Sequence, residues 1–163
     1  MPDMEALQEE FGRGAPFRSP QQALVLSLIR TSDEIGRVLD GVVAAHGISL
    51  KTFNVLRILR GAGPEGLPTL TVAERMVERS PGVTRLLDRL DREGFIERRR
   101  DIEDRRRVVA RITEHGRQIL DVVDPLFAEA EDGLFESLTH DEVLEMLSRL
   151  ARVRRTLERH SAP

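Results

Sequence analysis

The sequence predicts a mostly helical fold interrupted once by a two-stranded β-hairpin, and three observations lead there. Apolar residues recur at three- and four-residue spacing in long segments toward both ends of the chain. Between them, Ser80 to Gly94 carries an amphipathic pattern with a serine at its start and a glycine at its close. Directly afterwards, Phe95-Ile96-Glu97-Arg98 and Val108-Val109-Ala110-Arg111-Ile112 read as strands on either side of an arginine-rich turn.

Each element follows from its own residues. Residues 1–19 hold Gly12, Gly14 and Pro16 with little periodicity and read as a mobile arm, with a short helix at Met4–Glu10. From Gln21 to His46, Leu24, Leu28, Ile35, Val38, Leu39, Val42 and Val43 form the stripe of a long amphipathic helix that Gly47 stops. Ser49 caps a second helix carrying Phe53, Val55, Leu56, Ile58 and Leu59. The breakers between Gly61 and Pro68 predict a loop, and Thr71 is placed as the cap of a short helix over Val72–Val77. Ser80 is placed as the cap of the next helix, with Pro81 in its first turn, where a missing N–H is harmless. That helix buries Val83, Leu86, Leu87 and Leu90 and ends at Gly94. After the hairpin, Thr113 caps a helix expected to run to about Leu138 with a bend near Pro125. Thr139 and Glu142 then form a capping box for a last helix striped by Val143, Leu147, Leu150 and Leu157.

Composition narrows the function. The chain has 163 residues, 40% hydrophobic but only 4% aromatic, which suits one compact unit with a Leu/Val/Ile core. With no cysteine it has no disulfide, no thiolate metal site and no thiol redox switch. No apolar run approaches the ~20 residues of a membrane span, and the N-terminus lacks a signal-peptide pattern, so a cytoplasmic protein without membrane partners is expected. The net charge of −3 is unevenly spread: residues 71–112 hold 12 Arg against 9 acids, whereas residues 113–163 hold 6 Arg against 11 acids. Positive charge therefore gathers around the helix and hairpin, as attraction to a phosphate backbone requires.

A short helix, a turn, a second helix and a charged hairpin make a winged helix-turn-helix, which points to double-stranded DNA. A helix fits the major groove, where arginine grips guanine O6 and N7 together and threonine offers a methyl or hydroxyl. Thr84 and Arg85, early on the exposed face, are placed as base readers. Arg89 and Arg92, one and two turns on, are placed at phosphates, and the helix N-terminus at Ser80, with Pro81 in its first turn, offers its free N–H groups to another. At the hairpin tip, Arg105, Arg106 and Arg107 are candidate DNA contacts, with Asp104 pairing a neighbouring arginine. No nucleophile motif, phosphate loop or close metal spacing appears, so neither catalysis nor a cofactor is expected.

The run from Ser80 to Arg98 resembles the recognition helix and first wing strand of MarR-type regulators. Asp101-Ile102-Glu103-Asp104-Arg105-Arg106 resembles their wing signature, except that Ile102 stands where many members have proline. Ile112-Thr113-Glu114-His115-Gly116 is similar to the entry of their next helix. The resemblance implies a homodimeric transcriptional regulator, most often a repressor, on a near-palindromic operator. It maps the family's wing Asp and Arg onto Asp104 and Arg106, with Arg106 in the minor groove. It divides the chain into an arm over 1–19 and one domain over 20–163, winged over about 50–115, with dimerisation helices over about 21–46 and 114–160. Many relatives release DNA when a small aromatic or phenolic effector enters a pocket between the two lobes; His46, Phe53 and Arg57 are the candidate ligand residues. The alternative is a zinc-responsive regulator of the same fold using the scattered histidines.

Overall fold

The computed structural model describes residues 4–12, 14–76, 82–100 and 107–161. The elements run α1 (Met4–Glu10), α2 (Pro20–Ala44), α3 (Leu50–Gly61), β1 (Leu67–Pro68), α4 (Thr69–Arg75), α5 (Val83–Arg92), β2 (Ile96–Arg100), β3 (Val108–Ile112), α6 (Glu114–Leu134) and α7 (His140–Ser161). The mostly helical winged fold is the one expected, with differences at several boundaries.

The caps explain most helix starts. Ser19 accepts from the Gln22 N–H, with Pro20 in the first turn of α2. Ser49 accepts from the Thr52 N–H at the start of α3 at 3.2 Å, and Thr113 from the Gly116 N–H at the start of α6 at 3.1 Å. Glu142 accepts the Thr139 N–H and hydroxyl, both at 2.8 Å, while Thr139 Oγ1 accepts the Glu142 N–H, which completes the capping box of α7. The chain turns out of α2 and α5 at Gly47 and Gly94, whose φ of 76° and 77° suits glycine.

Three boundaries move. The sheet has three strands in the order β1-β3-β2, because Leu67 and Pro68, read as loop, pair antiparallel with Ala110 and Val109. Pro68 is tolerated because β1 is an edge strand. Gly66 makes the approach possible: its φ is 72°, and a Cβ there would press on the Ala110 carbonyl. Pro68 also opens α4, so the helix starts at Thr69 and Thr71 lies inside its first turn rather than capping it; it ends at Arg75, with Met76 already extended. α6 passes through Pro125 and ends at Leu134, short of Leu138, as tight turns from Phe135 to Asp132 and from Leu138 to Phe135 replace the helical pattern.

The core sits where α3, α4, α5, the sheet and α6 meet. Val55, Leu56 and Leu59 of α3, Val72 of α4, Val83, Leu87 and Leu90 of α5, Ile96, Ala110 and Ile112 of the sheet, and Leu120, Val123 and Phe127 of α6 are all buried. Each apolar stripe faces the others, so the hydrophobic effect fixes how α5 is presented. The segment read as a mobile arm contains helix α1 at the expected Met4–Glu10. It is fastened to α2: Arg30 Nη1 donates to the Glu10 carbonyl at 2.9 Å, and the same guanidinium lies 5.1 Å from the centre of the Phe11 ring. No helix among the described residues is long and apolar enough to cross a membrane.

Candidate nucleic-acid interface and the cleft behind it

Helix α5 is held from one side and open on the other. Val83, Leu87 and Leu90 are buried against the core, with Leu86 half-buried, while Thr84, Arg85, Asp88, Arg89 and Arg92 are exposed. The helix begins at Val83 with Gly82 as its cap residue and no side-chain cap. Ser80 and Pro81 themselves lie outside the described residues, as do Asp104, Arg105 and Arg106 of the wing.

The exposed cations on α5 are not equivalent. Arg85 is exposed and has no hydrogen bond or ion pair with another described residue. Arg92 Nε donates to the Asp88 carbonyl of its own helix at 3.3 Å. Arg89, read as a simple phosphate contact, is already engaged. Its Nη2 donates to Thr52 Oγ1 at 3.1 Å, and its Nε lies 3.7 Å from Glu93 Oε1. Thr52 was not foreseen. The only signal available was a threonine among the apolar positions of its helix.

The wing joins the helix through a second unforeseen contact. Arg98 on β2 pairs with Asp88 of α5 through Nη1, and its backbone N–H donates to Asp91 Oδ1 at 3.2 Å. The Arg98 side chain is 19% exposed, so this arginine ties α5 to the sheet instead of reaching outward. Arg99, Arg100 and Arg107 are exposed. Cationic surface thus continues from α5 onto the hairpin.

Behind this face, α2, α3 and α6 line a half-open cleft of ≈ 1320 Å³. Leu28, Leu39, Phe53 and Phe127 supply apolar lining, and Arg37, Asp40, Lys51 and Arg57 supply charge. Phe53 is core and cleft wall together: it is 2% exposed, and its ring centre lies 4.5 Å from that of Phe127. The Arg57 guanidinium lies 5.5 Å from the centre of the Phe53 ring and 3.7 Å from Asp124 of α6. His46 is not among the described lining residues; it sits half-buried in the turn after α2, where its backbone N–H donates to the Val43 carbonyl. Among the described residues no three His, Asp or Glu gather to hold a metal ion, so the zinc-responsive alternative finds no support.

An exposed helix docked on a core beside a three-stranded sheet defines a winged helix-turn-helix protein. The model of the MarR family matches residues 48–108. The MarR transcription factor of Planctomyces limnophilus is 33% identical in a solved structure covering 84% of this chain and 98% of its own, with a TM-score of 0.64. A mutant MarR from E. coli complexed with operator DNA is 25% identical, covering 80% of this chain and 92% of its own, with a TM-score of 0.73. YkoM of Bacillus subtilis, an uncharacterised HTH-type transcriptional regulator, is 35% identical over 97 residues, which make up 60% of this chain and 62% of YkoM, just under two thirds of that relative. The chain belongs to the MarR family of transcription regulators.

Proposed function

We propose that the protein is a homodimeric repressor that seats one α5 helix from each subunit in successive major grooves of a near-palindromic operator. The observation that carries this reading is the asymmetry of α5: its apolar side is locked into the core, while Thr84 and Arg85 stand exposed without partners among the described residues. The E. coli relative in complex with operator DNA supports the same use of the fold. A two-fold dimer sets its reading helices about 34–36 Å apart, one turn of B-DNA. A dimer seated over a promoter blocks access to it, and the proposed place of action is the cytoplasm.

The dimer reading draws on helices that leave apolar surface uncovered. On α2, Leu24, Val25 and Ile29 are exposed, and on α7 so are Leu144, Leu147, Val153 and Leu157. A small aromatic or phenolic effector in the cleft is the proposed control, with Phe53 in the apolar wall and Arg57 as the cationic partner. A thermal-shift screen of phenolic acids tests that part: a compound that raises the melting temperature should also release DNA.

The DNA reading is tested by an electrophoretic shift with the region upstream of the protein's own gene. Arg85→Ala should weaken binding to that fragment by about 1–3 kcal/mol relative to random duplex, the worth of a bidentate base contact. Unchanged discrimination between the two DNAs would remove Arg85 as a base reader.

A further inference from the structure

We infer that Thr52 is a positioning residue for DNA recognition, a buried polar pin that fixes the Arg89 guanidinium on the reading helix. This rests on the DNA-binding role proposed above and assigns that role a residue outside the helix that performs it.

Thr52 is 1% exposed and is the sole polar side chain in the buried interior among the described residues. A buried hydroxyl without a partner is costly, so its bonds matter. It has two. Arg89 Nη2 donates to Thr52 Oγ1 at 3.1 Å, and Ser49 Oγ lies 3.1 Å from the same oxygen. A hydroxyl has two lone pairs and one proton, enough to accept from Arg89 and still share a bond with Ser49. Ser49 is itself fixed as the N-cap of α3 through the Thr52 N–H. The pin is therefore anchored in the capped first turn of that helix.

Arg89 gains a set orientation from this. Its side chain is 48% exposed, on the same helix face as Arg85. An arginine so placed ordinarily samples many rotamers, and freezing them on binding costs affinity. Here Thr52 holds Nη2 and Glu93 lies beside Nε, while Nη1 has no partner among the described residues. The planar fork is thereby aimed before DNA arrives. Val55, Leu56 and Leu59 of α3 share the buried core with Val83, Leu87 and Leu90 of α5, and such apolar packing is non-directional, so it permits small slides that a hydrogen bond resists.

The first arm of the test needs no DNA. In 15N-labelled full-length protein, the Arg89 side-chain N–H signals should be distinct and slow to exchange in the wild type and in Thr52→Ser. They should collapse to solvent-averaged behaviour in Thr52→Val. Signals that are the same in Thr52→Val and wild type would overturn the pin.

The second arm reads affinity for the upstream fragment. Thr52→Val should weaken binding about tenfold, Thr52→Ser should restore most of the loss, and Thr52→Val should add nothing in an Arg89→Ala background. The Thr52→Val melting temperature should stay near the wild-type value, because Arg89 can return to water. A Thr52→Val loss that persists undiminished without Arg89, or that tracks a fall in melting temperature, would make Thr52 a structural residue and overturn the proposal. If the wild-type chain shifts no duplex, the DNA reading fails first and the use assigned to the pin goes with it, whereas normal wild-type binding with an indifferent Thr52→Val sinks the pin alone.

Discussion

Leu87 on α5 is 1% exposed, whereas Leu157 on α7 is 59% exposed, although both belong to the apolar stripe of an amphipathic helix. The winged lobe and the terminal helices differ in this way throughout. In the winged lobe every stripe meets another: α3, α4, α5, the sheet and the start of α6 bury one another's leucines and valines. Helix α7 has no buried side chain among those described, and α2 buries only Ala23 and Val43 over 25 residues. Fully burying a leucine is worth about 1.5–3 kcal/mol, so a lobe that leaves several exposed retains a strong drive to associate. The winged lobe packs its stripes against one another and against α6, whereas α2 and α7 leave apolar side chains exposed among the described residues.

The largest effect expected from this contrast is in the winged lobe. Leu87→Ala should cost about 2–5 kcal/mol, the transfer and cavity cost of a buried leucine, read as a denaturation midpoint that shifts equally at every protein concentration. A loss under about 1 kcal/mol would mean that α5 is not held by its core face.

Gly116→Ala should come next, at about 1–3 kcal/mol. A Cβ on Gly116 would press on the Phe95 carbonyl oxygen and stand 2.8 Å from Ile112 Cγ1, where α6 leaves the sheet. Since backbone is the obstacle, it cannot swing aside. A Gly116→Ala protein that melts with the wild type would show that the strand–helix junction yields more easily than its packing suggests.

The terminal helices should respond in another currency. Leu147→Glu combined with Leu157→Glu, both on exposed apolar positions of α7, should leave the winged core intact but convert the sedimenting species to a monomer. Its melting temperature should also stop depending on concentration. A variant that stays a dimer would move the interface away from α7.

The smallest effect concerns the Thr139–Glu142 capping box. The Thr139 N–H and hydroxyl both donate to the Glu142 carboxylate and hold its pKa below the ordinary 4.5, since both favour the ionised form. A folded-state pKa below the unfolded one means that the contribution is complete above pH 4.5 and is lost as pH falls through the lower folded value. The wild type should therefore be slightly more stable than Glu142→Gln at neutral pH, and the gap should close in acid. A gap that is the same at pH 7 and pH 3 would mean that the charge plays no part.

The contrast between lobes also separates what could be read from the chain and what could not. Caps at Ser49, Thr113 and Thr139, the glycine exits at Gly47 and Gly94, and the buried face of α5 rest on local rules, and residues within one turn decide them. The exposed Thr84-Arg85 edge followed from the same periodicity. Misplacements arose where distant residues decide. Leu67 and Pro68 form a strand only because β3 passes beside them, and helix α4 then starts from that strand end. His46 lies close in sequence to the cleft residues Ser49, Leu50 and Lys51, yet is not among the residues described as lining it.

Arginines show the same division most clearly. Sequence alone determined that cations cluster on one helix and its hairpin, because composition and helical period are properties of the chain itself. Only the folded molecule decided which of them remain available. Arg98 is drawn to Asp88 and Arg89 to Thr52, while Arg85 keeps its donors uncommitted among the described residues. A guanidinium's partner is set by which elements pack within about 3 Å of it, and residues 10 to 37 positions apart reach that distance only through tertiary packing.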